Sequence, residues 1–257
     1  MNIKKKLSNL VKKKNIIITQ SGNSAIYLSL KKVKEFGYSK LLIQNQGGWI
    51  TYKQYAKKLK YELFELKTEY GILIESELKK YNNCVLLINS MPGYAYLQDM
   101  RKISEYCKNN NILLINDISG SIGHRESTYG DIIICSLGKN KPLGIGNGGF
   151  IGYNEEKYNI DIEDFELDEI LLKNKIDNLK KNIKRYEFIN KSIKKDLEDY
   201  NIINNSRTGY NVIILFSGAE EKERLINYCN KNNYEYTLCP RYIRVLNEAI
   251  CIEVKRQ

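Results

Sequence analysis

Histidine is almost missing from this chain: His124 is the only one in 257 residues. Zinc sites built from clustered His and Cys need several such ligands close together, so that class is set aside and no metal is expected. Cysteine is present but unpatterned. Cys84, Cys107, Cys135, Cys229, Cys239 and Cys251 form no C-x-x-C pair, and most lie in or beside apolar stretches. Buried reduced thiols are expected rather than a disulfide framework. No apolar run approaches the roughly 20 residues needed to cross a bilayer, so no membrane partner is expected. The first residues, Met-Asn-Ile-Lys-Lys-Lys, lack the apolar centre of a signal peptide. A cytoplasmic location is the expectation. Tryptophan is also scarce, with Trp49 alone.

Positive charge, by contrast, is plentiful, with a formal net charge of +11. The lysines are spread along the whole chain rather than gathered, which reads as a solvated surface; a nucleic-acid partner is not expected. At this length the chain can bury a large core. It is long for one domain and short for two full ones, so one large domain with a smaller appendage fits.

Residues 2–14 read as a short amphipathic helix with Ile3, Leu7, Leu10 and Val11 on one face. Strand-like runs then recur at 15–19, 40–44, 61–66, 84–89, 111–116, 131–135 and 149–153, with helical stretches between them at 23–36, 51–60 and 97–109. Several strands, such as Val85-Leu86-Leu87-Ile88, are apolar throughout, as in a parallel sheet covered on both faces. Alternation of this kind predicts an α/β domain. Apolar residues at helical spacing over 167–200 predict one long helix or a broken pair. A strand at 212–216, a helix near 220–232 and strands near 234–238 and 249–254 follow, making a small α+β unit. The expected division is 1–155 for the large domain and 156–257 for the connecting helix and small domain.

In an open α/β sheet, ligands bind beyond the carboxyl ends of the strands, and the chemically interesting residues fall there. Thr19-Gln20-Ser21-Gly22-Asn23-Ser24 ends the first strand and opens a helix. Its freed amides, close backbone approach at Gly22 and polar side chains suit a phosphate, although an ordinary helix cap would look similar. Asp117 ends a run of apolar residues, where a carboxylate needs a partner. Ser136 ends the next strand and is followed by the glycine-rich turn that contains Lys139 and Lys141. Acid, serine and lysine in this order are the layout by which pyridoxal phosphate is held. The acid serves the ring nitrogen, hydroxyls and amides serve the phosphate, and a desolvated lysine of lowered pKa forms an imine with the aldehyde. The choice between Lys139 and Lys141 stays open on chemistry alone. Trp49, after Gly47-Gly48, is a candidate to stack on an aromatic ring.

Together these segments resemble the DegT/StrS family of pyridoxal-phosphate sugar aminotransferases. Ser21-Gly22-Asn23-Ser24-Ala25 is similar to the family's S-G-T-x-A turn, and Asp117-Ile118-Ser119-Gly120-Ser121-Ile122-Gly123 to its D-x-A-Q-A-x-G segment. Gly130-Asp131, Ser136-Leu137, Lys141 and Gly146-Asn147-Gly148-Gly149 resemble its G-D…S-F-x-x-x-K…G-E-G-G segment. Pro92-Gly93 and Asp99-Met100 sit where the family has a G…D-M element. The likeness covers roughly 15–153. Asn23, Gly120 and Asn147 depart from the family's usual Thr, Gln and Glu, and that Gln is expected to touch the cofactor's ring hydroxyl.

The resemblance implies an aspartate-aminotransferase-like fold (fold type I), with a mixed, mostly parallel seven-stranded sheet in the large domain. It selects Lys141 as the residue bound to the cofactor. Asp117 is assigned to the ring nitrogen, Trp49 to the ring face, and Ser21, Gly22, Asn23, Ser119 and Ser136 to the remaining cofactor contacts. His124, Arg207, Arg241 and Arg244 are candidates for substrate. The implied reaction moves an amino group, with glutamate as the usual donor, to a keto sugar or similar small carbonyl compound. A homodimer with each site near the subunit interface is implied as well. Another reaction of the same fold (lyase, racemase or dehydratase) and a non-catalytic homologue that binds a partner are the alternatives.

Overall fold

The computed structural model describes residues 2–256. The chain opens with α1 (Ile3–Val11), β1 (Asn15–Thr19), α2 (Gly22–Lys34), β2 (Lys40–Gln44), α3 (Thr51–Lys58) and β3 (Glu62–Leu66). A small hairpin, β4 (Thr68–Glu69) and β5 (Ile72–Leu73), precedes α4 (Glu75–Leu78), β6 (Cys84–Asn89), α5 (Met100–Asn109), β7 (Ile112–Asp117), β8 (Ile132–Ser136) and β9 (Gly149–Tyr153). Then come α6 (Glu169–Asp196), β10 (Asn201–Ile202), β11 (Val212–Leu215), α7 (Ala219–Lys231), β12 (Tyr236–Cys239) and β13 (Ala249–Ile252).

Seven strands form one sheet in the order β1-β9-β8-β7-β6-β2-β3. Only β9 runs against the others. The expected mixed, mostly parallel seven-stranded sheet is therefore observed. Side chains alternate across it. Ile17, Ile43, Leu87, Ile115, Ile134 and Ile151 pack beneath α2 and α3. Ile16, Ile18, Ile133, Cys135 and Phe150 meet α1 and α6 on the other face, and Leu42, Leu86, Ile88 and Leu114 meet α5 there. Coverage on both faces is why β6 and β7 are buried at every residue. All six cysteines are buried and unpaired.

A second, antiparallel sheet of four strands, β10-β11-β13-β12, lies in the C-terminal part. The apolar pattern over 167–200 becomes a single helix, α6, capped by the Asp168 carboxylate on the Leu171 amide. The expected helix at 97–109 begins only at Met100, because Asp99 caps it by accepting from the Lys102 amide. Among the described residues no helix is long and apolar enough to cross a membrane.

Candidate active site

The carboxyl ends of β1, β2, β7 and β8 converge on one pocket of about 690 Å³ of space between atoms, part of it open to solvent. Its lining includes Ser21, Gly22, Asn23, Trp49, Asp117, Ser119, Ser136 and Lys141. Every cofactor-binding candidate from the sequence thus lies on the same cavity, although these residues are spread over some 120 positions of the chain.

The phosphate-like corner is built at the start of α2. The Ser21 hydroxyl accepts from the Ser24 amide at 3.1 Å and so acts as the helix cap. The amides of Gly22 and Asn23 begin the helix and have no partner one turn earlier. A Cβ on Gly22 would lie 2.5 Å from the Ser136 Cβ, so only glycine lets β8 end this close to α2. The helix cap leaves the first amides of α2 directed at the pocket, where a helix start can hold an anion, so capping and anion binding at this turn are compatible.

Asn23 does something the sequence did not foretell. Its side-chain carbonyl accepts from Trp49 Nε1 at 2.9 Å and from the Thr51 hydroxyl at 3.2 Å. It thereby fixes the indole at the pocket wall.

Asp117 ends β7 almost completely buried, at 6% exposure. One carboxylate oxygen accepts from the Ser119 amide at 2.9 Å and the other from the Tyr52 hydroxyl at 2.5 Å. Burial, and next the adjacent Asp117 charge, push the Tyr52 phenol far up, so it remains a donor at neutral pH. The Ser119 hydroxyl accepts from the Ser136 amide at 2.9 Å, tying the loop after β7 to the end of β8.

Lys141 is half-buried in the pocket, whereas Lys139 is exposed and does not line it. The Lys141 ammonium donates to the Tyr94 hydroxyl at 2.5 Å and stands 5.0 Å from the Trp49 ring centre. Burial pulls its pKa down, but Tyr94 and Asp117 pull harder, and the net shift is upward. The lowered value expected from desolvation alone is corrected by these two neighbours.

Of the substrate candidates, only Arg244 lines the pocket. Its guanidinium is already held by Glu253 in a buried pair, with contacts of 2.6 to 2.8 Å. His124 bonds Tyr210 at 3.0 Å and lies outside the lining set. Arg207 and Arg241 are exposed and also lie outside it. Residues the sequence did not single out are Tyr52, Tyr94, Asn89 and Ile243. Tyr94 follows the noted Pro92-Gly93 pair directly. Tyr52 carried no signal beyond its place three residues after Trp49.

The buried Asp117 carboxylate and the half-buried Lys141 ammonium line one cavity, and neither makes an ion pair of 4 Å or less among the described residues. Asp117 still has accepting capacity beyond its two bonds. Unpaired buried charges are costly, and this pair of opposite sign suits a ligand with a protonated ring nitrogen at one end and a carbonyl at the other. The donor set therefore fits pyridoxal phosphate.

Comparison with known proteins agrees with this geometry. The model of the DegT/DnrJ/EryC1/StrS aminotransferase family matches residues 2–168, and that of the MJ1341 family C-terminal domain matches 176–257. No curated protein matches the chain by sequence. Among solved structures, 3-amino-5-hydroxybenzoic acid synthase superposes with a TM-score of 0.77 at 13% identity, covering 98% of this chain and 84% of that one. NtdA from Bacillus subtilis with bound cofactor PMP gives 0.76 at 13% identity, over 98% and 71%. A DegT DnrJ EryC1 StrS aminotransferase from Brucella abortus gives 0.73 at 13% identity, over 98% and 84%. These likenesses establish the aspartate-aminotransferase-like fold. With the family model matched over most of its length, the chain belongs to the DegT/DnrJ/EryC1/StrS aminotransferase family, whose members work with pyridoxal phosphate.

Proposed function

We propose that this protein is a pyridoxal-phosphate-dependent aminotransferase that moves an amino group, from glutamate, to a keto sugar or a similar small carbonyl compound. The observation that carries the reading is that Asp117 and Lys141, of opposite charge and without an ion-pair partner among the described residues, line one cavity together with the start of α2. Residues 1–155 make up the cofactor-binding part and 156–257 the connecting helix and small α+β part. By analogy with the family, the working unit is a homodimer in the cytoplasm.

Pyridoxal phosphate, when bound, supplies an aldehyde that takes up an amine and a ring that withdraws electrons from the adjacent carbon. The chain's own residues do the rest. Asp117, oriented by its Ser119 and Tyr52 donors, would face the ring nitrogen. The amides of Gly22 and Asn23, with the Ser21 and Ser136 hydroxyls, hold the phosphate. Trp49, fixed by Asn23 at the pocket wall, would offer its indole to the ring. Lys141 Nζ would be the amine that holds the cofactor's aldehyde, and as a free amine it would serve as the proton-carrying base and acid of the site.

The test is a half-reaction. Purified protein loaded with pyridoxal phosphate is mixed with glutamate and no acceptor. Loss of the visible band together with formation of 2-oxoglutarate is the expected result. Ammonia or sulfide release from amino-acid substrates without 2-oxoglutarate would favour the lyase-type alternatives, and failure to retain any cofactor would favour a non-catalytic binding protein.

A further inference from the structure

We propose that Tyr94 is the positioning residue for Lys141: its phenol oxygen holds Nζ toward the pocket in both protonation states, and glycine at position 120 is what makes room for it. The proposal rests on the reading of Lys141 given above.

Three observations carry it. First, the Lys141 Nζ to Tyr94 hydroxyl contact of 2.5 Å is the one side-chain hydrogen bond found for Lys141. A phenol can accept from an ammonium and can donate to a neutral amine, so the contact survives loss of the proton. A lysine that must give up and regain a proton needs a neighbour with that property. A carboxylate would hold only the charged form.

Second, Tyr94 occupies the space of another side chain. A Cβ on Gly120 would lie 3.0 Å from Tyr94 Cδ1 and 3.1 Å from Cε1. Position 120, where the family resemblance has glutamine, carries no side chain here, and the Tyr94 ring packs against it together with Met91, whose Cβ a Cβ at 120 would meet at 3.1 Å.

Third, Tyr94 has a backbone conformation that a side chain disfavours, held by the local turn bonds from its own amide to the Met91 carbonyl and from the Ala95 amide to the Pro92 carbonyl, both at 3.0 Å, and by the C-terminal part. Its φ is +60°, in the left-handed region, directly after Gly93 at +59°. The C-terminal part also holds it there. Its carbonyl accepts from the amides of Tyr210 at 2.9 Å and Asn211 at 2.8 Å, while Asn211 Nδ2 donates to the Gly93 carbonyl at 3.0 Å. A strained residue clamped from a distant segment and aimed at a reactive amine has the mark of a functional position.

The charged and titratable groups that face this pair are Asp117, Arg244 and Lys255, with Glu253 beside the last two, and the buried Tyr52, Tyr210 and Cys135, whose phenols and thiol burial keeps protonated. Lys255 Nζ lies 4.5 Å from the Tyr94 ring centre, and the Arg244 guanidinium 5.8 Å. Burial keeps the Tyr94 phenol protonated at neutral pH; its bond to the ammonium is stronger than its bond to the neutral amine, so the contact, together with Asp117, raises the proton affinity of Lys141 while still holding both forms.

The test follows acetylation of Lys141 in cofactor-free protein against pH, using acetic anhydride and peptide mass mapping, with exposed Lys139 as the internal reference. Tyr94→Phe keeps the ring and removes the hydroxyl. The expected result is a Lys141 titration midpoint lower by about one pH unit, read as roughly tenfold faster labelling relative to Lys139 near neutral pH. Gly120→Ala, which pushes on the ring without touching the hydroxyl, is expected to shift the profile in the same direction. An unchanged Lys141 profile in Tyr94→Phe overturns the positioning role, and an unchanged one in Gly120→Ala alone overturns the part assigned to position 120. Thermal melting confirms that each variant is folded. The reading of Lys141 fails separately, if wild-type protein forms no borohydride-stable cofactor adduct at that lysine.

Discussion

Single side chains in this pocket do double duty, and Asn23 shows it most clearly. In sequence it stands in a phosphate turn, where it reads as a ligand. In the structure its carbonyl holds the Trp49 indole and the Thr51 hydroxyl. Asn23→Ala removes both bonds and leaves the indole free to rotate. A net loss of about 1–1.5 kcal/mol is expected from such contacts, or roughly tenfold in cofactor affinity. Because Trp49 is the only tryptophan, its fluorescence quenching on titration with pyridoxal phosphate measures this directly. An affinity equal to wild type would show that the indole needs no tether. Asp117, Ser136 and Lys141 were legible because each ends a strand or sits in a glycine-rich turn. Tyr52 and Tyr94 were not. The helix Thr51-Tyr52-Lys53-Gln54-Tyr55-Ala56-Lys57-Lys58 offers two tyrosines, and only the packed sheet decides that Tyr52 is fully buried while Tyr55 is not. Nothing local in a short turn says that Tyr94 will meet a lysine 47 positions away.

Among the elements, the seven long strands were readable because burial on both faces demands unbroken apolar runs, whereas β10 is two residues long and carries no such signal. Helix ends were harder, since the cap at Asp99 overrides the apolar pattern on either side of it. The loop that leaves β7 depends on another such detail. Gly123 has a φ of +92°, and a Cβ there would lie 2.6 Å from Ile183 Cδ1 and 3.0 Å from Leu179 Cδ2, both on α6. The loop bearing Asp117, Ser119 and Gly120 is thus pressed onto α6 at a point where a side chain does not fit. Gly123→Ala should destabilise the protein by about 2 kcal/mol or more, combining strained backbone with overpacking. Urea unfolding measures it. A change below about 0.5 kcal/mol would mean that α6 yields freely.

The C-terminal sheet reaches the pocket through one ionic cluster. Glu253, with no exposed surface, binds Arg244 and lies 3.6 Å from Lys255 and 3.8 Å from Arg256. Burial alone would raise the Glu253 carboxyl, but Arg244 and Lys255 outweigh it and hold it below the usual value. A carboxyl lowered in the native state adds stability that is present above its unfolded pKa, near 4.3 for glutamate, and is lost as pH falls through the lower native value. Glu253→Gln leaves Arg244 buried without its counter-charge and is expected to cost about 3–5 kcal/mol at pH 7. The gap between variant and wild type should narrow on acidification below about pH 4, as read from urea midpoints across pH. A gap that stays constant would place the cost in packing rather than in charge. This cluster was only partly visible in sequence: Arg244 was a candidate substrate anchor, but nothing marked Glu253, the residue just past β13, as its partner.

The measurement that bears most directly on the whole account is reduction of cofactor-loaded protein with borohydride, followed by peptide mapping of the pyridoxyl label. The account predicts label on Lys141 alone, lost in Lys141→Ala and retained in Lys139→Ala. Label on Lys139, or none at all despite saturating cofactor, would contradict it.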